Sequence, residues 1–117
     1  MENSQFENLL KVGNDAFGNQ NYHQALNNFI KALEISPGSH DALCCAGKAC
    51  YKLRDFERTI GYISKALEQS PKAKDLLAML GFVYVKLKDK AKALGIYDRL
   101  KKVHPEKAEA LYKEIYK

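Results

Sequence analysis

Slid along itself until Gly13 falls on Gly47 and Gly47 on Gly81, this sequence repeats in three copies without a gap. Pro37, Pro71 and Pro105 superpose at the same shift. Leu9, Leu43 and Leu77 form another set, with Asn21, Asp55 and Asp89, with Ala25, Thr59 and Ala93, and with Phe29, Ile63 and Tyr97. A period of this length makes each copy one supersecondary unit that cannot bury its apolar face alone, so the copies must stack.

Within each copy the apolar spacing is helical, with no strand-like alternation. Ser4-x-x-Glu7 ahead of Leu9-Leu10 is a capping box that starts the first helix near Ser4 or Gln5. Phe6, Leu9, Leu10, Val12, Ala16 and Phe17 recur along it at helical spacing. Gly18-Asn19-Gln20-Asn21 breaks the helix, and Asn21 is the expected N-cap of the next, which runs to Pro37-Gly38. The second unit predicts helices from about Ser39 to Leu53 and from Asp55 to Gln69. The third predicts them from about Ala73 to Leu87 and from Lys90 to Val103. Connections this short force antiparallel neighbours. A glycine inside a helix costs about 1 kcal/mol against alanine, so its return at 13, 47 and 81 implies that another helix comes too close for a side chain. Residues 106–117 add one more amphipathic helix in the same register, with Leu111 aligned on Leu77. Ile115 stands there where the glycine would recur, as suits a capping helix with no further partner.

A helix–turn–helix of this period, with this glycine, alanine, aromatic and proline frame, resembles the tetratricopeptide repeat family over residues 6–107. Departures from the frame are few. Thr59 replaces an alanine, Leu100 stands where Ala32 and Ala66 are small, and Lys90 stands where Tyr22 and Phe56 are aromatic. The resemblance implies an all-α fold: a right-handed superhelical stack of three antiparallel repeats (about 6–39, 40–73 and 74–107) plus a capping helix, in one domain spanning 1–117. It also implies a concave groove lined by the first helix of each pair, and a non-enzymatic scaffold holding a peptide or helical segment of a partner.

Helical spacing nominates groove residues. If Leu43, Ala46, Gly47 and Cys50 form the buried stripe, Asp41, Cys44, Lys48 and Tyr51 follow the adjacent one. The equivalent rows are Glu7, Leu10, Asn14 and Phe17, then Asp75, Ala78, Phe82 and Val85, and finally Glu109, Tyr112 and Tyr116. Such a groove is apolar and aromatic with an acidic rim, which suits an apolar peptide or amphipathic helix. One specialisation of the family grips heat-shock chaperone tails through a five-residue basic and amide clamp. Only Asn14 is retained of it. Leu10 and Cys45 replace a lysine and an asparagine, and Asp75 and Met79 replace the last lysine and arginine. An acidic tail would meet an acid there, so the chaperone tail is not the expected partner.

Other chemistries find little footing. His40 lies one turn before Cys44, but Cys45 and Cys50 point away from that face and from each other at about 100° per residue. They cannot surround a tetrahedral zinc. Cys50 reads as core packing, and Cys44 as a groove thiol whose reactivity would require a lowered pKa. No histidine is spaced from a nucleophile or carboxylate in a catalytic pattern and no glycine loop cradles phosphate, so neither enzyme nor cofactor is expected. The three cysteines crowd into residues 44–50, which is no disulfide framework, and no stretch is long and apolar enough for a membrane span. A reducing cytoplasmic setting follows.

Charge is uneven. Residues 1–71 hold 7 Lys+Arg and 8 Asp+Glu, whereas residues 72–117 hold 12 and 6. Nucleic acid or another acidic partner is therefore the alternative to a peptide, through Lys86, Lys88, Lys90, Lys92, Lys101 and Lys102. It ranks second because these lysines fall at the turn and outer helix, away from the aromatic rows. Weak self-association through the N-terminal edge is a third reading.

Overall fold

The structure is a computed structural model that describes residues 2–117, with side chains from Ser4 onward. Seven helices and no strand occur among the described residues: α1 (Glu2–Gly18), α2 (Tyr22–Ile35), α3 (His40–Lys52), α4 (Phe56–Gln69), α5 (Lys74–Lys86), α6 (Lys90–Val103) and α7 (Pro105–Ile115). They form two compact units, Met1–Tyr62 and Ile63–Lys117, with the boundary inside α4.

The ends of the helices show which local signals operate. Ser39 caps α3 by accepting from the Ala42 N–H at 3.2 Å, and Asp89 caps α6 by accepting from the Lys92 N–H at 3.1 Å. Asp55 does the same for α4 through the Arg58 N–H at 3.3 Å. Two expectations fail. The chain is already helical at Glu2, so Ser4 lies inside α1 and cannot cap it. Asn21 occupies the N-cap position of α2 but its side chain makes no capping bond. At α7 an unforeseen residue serves, with His104 Nδ1 accepting from the Lys107 N–H at 3.1 Å.

Each hairpin turn holds a residue in the left-handed region: Gln20 at φ 66, Arg54 at φ 62 and Lys88 at φ 61. The three recur at the same interval as Gly13, Gly47 and Gly81. The next residue in each turn, Asn21, Asp55 or Asp89, donates its N–H to the carbonyl five residues back, at 2.8–2.9 Å. The left-handed residues donate three residues back at 3.0 Å, which completes a Schellman motif at the ends of α1, α3 and α5. None of the three is glycine.

In the first unit, Ala16, Ala25, Leu26, Phe29, Ala46, Ala49 and Cys50 are buried together, with Leu10, Phe17, Cys45 and Tyr62 packed against them. The repeated glycine explains the closeness of the helices. A Cβ on Gly13 would fall 2.5 Å from Cε1 of Phe29 in α2. In the second unit a Cβ on Gly81 would fall 2.5 Å from Cδ2 of Leu111 in α7 and 3.2 Å from Cγ2 of Ile96 in α6. The two approaches of 2.5 Å are nearer than real carbons come. Thr59 is fully buried, and its hydroxyl donates to the Asp55 carbonyl at 2.9 Å, which satisfies the polar atom that replaces an alanine methyl. Leu100 is also fully buried and enlarges the second unit's core.

Candidate functional site

In the first unit, Asn14 and Phe17 on α1 sit one turn apart, as i and i+3 residues do on a helix. Cys45 and Lys48 on α3 complete a pocket of about 140 Å³ whose remaining wall is Phe29. Small-molecule sites usually run to roughly 300–1,000 Å³, so this hollow has room for one apolar side chain. The Cys45 thiol donates to Asn14 Oδ1 at 3.6 Å. With its oxygen engaged, the amide offers its Nδ2 donors. Lys48 is exposed at the pocket and supplies positive charge beside an apolar floor.

The other candidates of this unit are placed variously. Leu10 is half-buried against the core. Phe17 meets Tyr22 edge-on at 5.1 Å, and Tyr51 meets Phe56 likewise at 6.0 Å, so both rings also brace their own hairpin turn. Asp41 is exposed. Cys44 lies 3.7 Å from His40 Nε2, one helical turn back, and does not line the pocket with Asn14. Cys45 is the residue that the spacing argument missed. A one-residue rotation of the α3 stripe would have found it, and the signal was the clamp comparison, which sets Cys45 beside Asn14 where the family has an asparagine.

No thiol here is activated. Burial pushes the Cys44 pKa up; Lys48 opposes this and Asp41 adds to it. Burial also raises Cys45, again against Lys48. Burial, with Asp55 adding and Arg58 opposing, pushes Cys50 up to about 11. All three cysteines are free, and no group of three His, Cys, Asp or Glu suited to a metal occurs among the described residues.

In the second unit, Asp75 is exposed and pairs with Lys107 at 3.4 Å, and Phe82 is half-buried. Tyr112 and Tyr116 are 43% and 51% exposed, and their rings lie 4.7 Å apart. Tyr97 of α6 joins them, 5.2 Å from Tyr112. Lys90 Nζ sits 4.1 Å over the Tyr116 ring, and Lys101 Nζ sits 5.9 Å over Tyr97. The sequence separated the lysines from the aromatic rows; the fold interleaves them. The cause is the break in the frame. Phe17 with Tyr22, and Tyr51 with Phe56, close the first two turns with aromatic pairs, whereas the third has Val85 and Lys90. Lys90 reaches a ring of α7 instead.

No helix of the described residues is long and apolar enough to cross a membrane. Among curated proteins, none matches this chain. Solved structures match it along its whole length. The TPR domain of Arabidopsis OM64 is 17% identical, with 99% of this chain and 98% of that one covered and a TM-score of 0.87. The second TPR domain of human RPAP3, in complex with the HSP70 peptide SGPTIEEVD, is 15% identical over 100% and 99%, with a TM-score of 0.88. The TPR2B domain of yeast Sti1, in a pHsp70 complex, is 18% identical over 97% of each chain, with a TM-score of 0.85. At such identities the likeness establishes the all-α repeat fold. The sequence model described as "Tetratricopeptide repeat" matches residues 51–115, more than half of the chain. With Gly13 and Gly81 in their close contacts and the turns in one conformation, the chain belongs to the tetratricopeptide repeat family.

Proposed function

We propose that this chain is a non-enzymatic adaptor that binds a peptide or helical segment of a partner protein, with the pocket between α1 and α3 as its anchor. The observation that carries the reading is the meeting of Asn14, Phe17, Cys45 and Lys48 around a hollow of about 140 Å³. One apolar side chain fills it, while Asn14 Nδ2 donates to a backbone carbonyl and fixes the register of the guest. Asp41, Tyr51, Asp75, Phe82, Tyr112 and Tyr116 are proposed as further contacts on the first-helix faces. Three free thiols suit a reducing, cytoplasmic setting.

A chaperone tail is not the proposed guest, because Leu10, Cys45, Asp75 and Met79 stand where the clamp needs amide or basic groups. The fold likeness to domains that hold such tails lends this exclusion no support; it rests on those residues alone. The test is a peptide-library capture on the wild-type chain, followed by anisotropy titrations that include an EEVD-ended peptide. Asn14→Ala should weaken captured peptides about 2- to 10-fold, the worth of one hydrogen bond. Peptides that bind wild type, Asn14→Ala and Tyr51→Ala alike would place the site elsewhere. Tight binding of the EEVD peptide would overturn the exclusion.

A further inference from the structure

The second unit carries a surface of which the peptide reading uses only Tyr112 and Tyr116, and leaves Tyr97, Lys90 and Lys101 without a role. Lys101, Tyr97, Tyr112, Tyr116 and Lys90 form an unbroken run of neighbours, three rings with an ammonium at each end, at successive distances of 5.9, 5.2, 4.7 and 4.1 Å. The charge of this run is not neutralised locally. Four of the six carboxylates in residues 72–117 pair with other lysines: Asp75 with Lys107, Asp89 with Lys92, Glu109 with Lys113 and Glu114 with Lys117. Lys90 and Lys101 have no carboxylate partner among the described residues and rest on ring faces instead.

We propose that this Lys101–Tyr97–Tyr112–Tyr116–Lys90 run is a contact site for single-stranded nucleic acid. An acidic peptide would use the two ammoniums and leave three rings idle. An apolar helix would use the rings and desolvate the ammoniums without return. A strand of nucleotides alternates phosphates with flat bases and engages both, the phosphates at Lys90 and Lys101 and the bases on exposed tyrosine. A duplex keeps its bases stacked on each other and cannot offer them to the rings. Binding should tolerate many sequences, because stacking on tyrosine and charge at phosphate read no base edge, and the amides and free arginine best suited to bidentate readout are missing. Residues 71–117 contain no Asn or Gln, and their single arginine, Arg99, donates to the Pro71 carbonyl at 3.4 Å.

The test is fluorescence anisotropy of a labelled oligouridine with the full chain across a salt series. Two phosphate contacts give a slope of log K against log salt of about −1.4, at roughly 0.7 per contact on a single strand. Lys90→Gln with Lys101→Gln should flatten that slope. Tyr112→Ala should lower affinity about 5-fold or more at every salt concentration with the slope unchanged, as loss of one stacking ring does. Circular dichroism confirms that each variant keeps its helices. Asn14→Ala, in the other unit, should leave the oligouridine isotherm unchanged, so failure here is distinct from failure of the peptide reading. Absence of binding at low salt overturns the proposal. So does an unchanged affinity in Tyr112→Ala, or equal binding of poly-glutamate or of duplex, each of which reduces the surface to a general polyanion attractor.

Discussion

The Cys45 thiol donates to Asn14 Oδ1 across 3.6 Å, joining two helices through residues 31 positions apart. The bond is exposed, so water replaces it easily. Cys45→Ala should change stability by less than about 1 kcal/mol, the worth of a weak hydrogen bond on the surface. Cys45→Met is the more telling change. Its unbranched side chain can enter the pocket of about 140 Å³ and compete with the guest. Peptide affinity should fall in anisotropy titrations while the thermal midpoint stays near that of the wild type.

Glycine-to-alanine substitutions should split by sign. A Cβ on Gly13 meets the Phe29 ring at 2.5 and 2.8 Å, and one on Gly81 meets the Leu111 side chain at 2.5 and 3.0 Å, whereas Gly61 and Gly95 have nothing within 4 Å. Gly61→Ala and Gly95→Ala should each stabilise by about 0.5–1 kcal/mol through helix propensity. Gly13→Ala should destabilise by about 1–3 kcal/mol from overpacking against a rigid ring. Gly81→Ala should cost less than Gly13→Ala because the Leu111 methyls can shift. Urea unfolding reads all four.

The left-handed turn residues offer a second stabilising change. Lys88 holds φ at 61, a conformation that costs a side-chain-bearing residue about 1–2 kcal/mol. Lys88→Gly removes that strain and gives back about 0.4–1 kcal/mol through the freer unfolded chain. A net gain of about 0.5–1 kcal/mol should appear in urea midpoints, with Lys88→Ala showing none.

Alkaline pH should destabilise the first unit through Cys50. Burial holds its thiol neutral up to about pH 11 in the folded chain, against 9.0 for the unperturbed group. Above about pH 9 the unfolded chain releases this proton while the folded chain retains it. The folded state then binds more protons, and unfolding free energy falls as pH rises toward 11. Below pH 9 the contribution is fully present. Cys50→Ala should lower stability overall yet flatten its decline between pH 9 and 11, as urea titrations across that range would show.

The repeat period determined a great deal by itself. Helix number and the conformation of the turns follow from it, and so does the need for glycine at 13 and 81, where the same register brings a neighbouring side chain within 2.5 Å of a Cβ. Asp55 and Asp89 were legible as caps, since a carboxylate needs only its own first turn to find an N–H. Ser4 misled because its motif competes with a helix that had already begun.

What the tertiary structure alone decided was azimuth and reach. Cys45 rather than Cys44 faces Asn14, because packing sets the rotation of α3 and neighbouring residues on a helix point about 100° apart. Gln20, Arg54 and Lys88 are left-handed for a local reason that no glycine announces, the bonds to carbonyls three and five residues back that close each turn. Lys90 turns from its own turn to the Tyr116 ring, since the flexible stem of lysine settles wherever the fold places an aromatic face. Spacing along one helix carries no information about such meetings between helices, and both proposed binding surfaces are made of them.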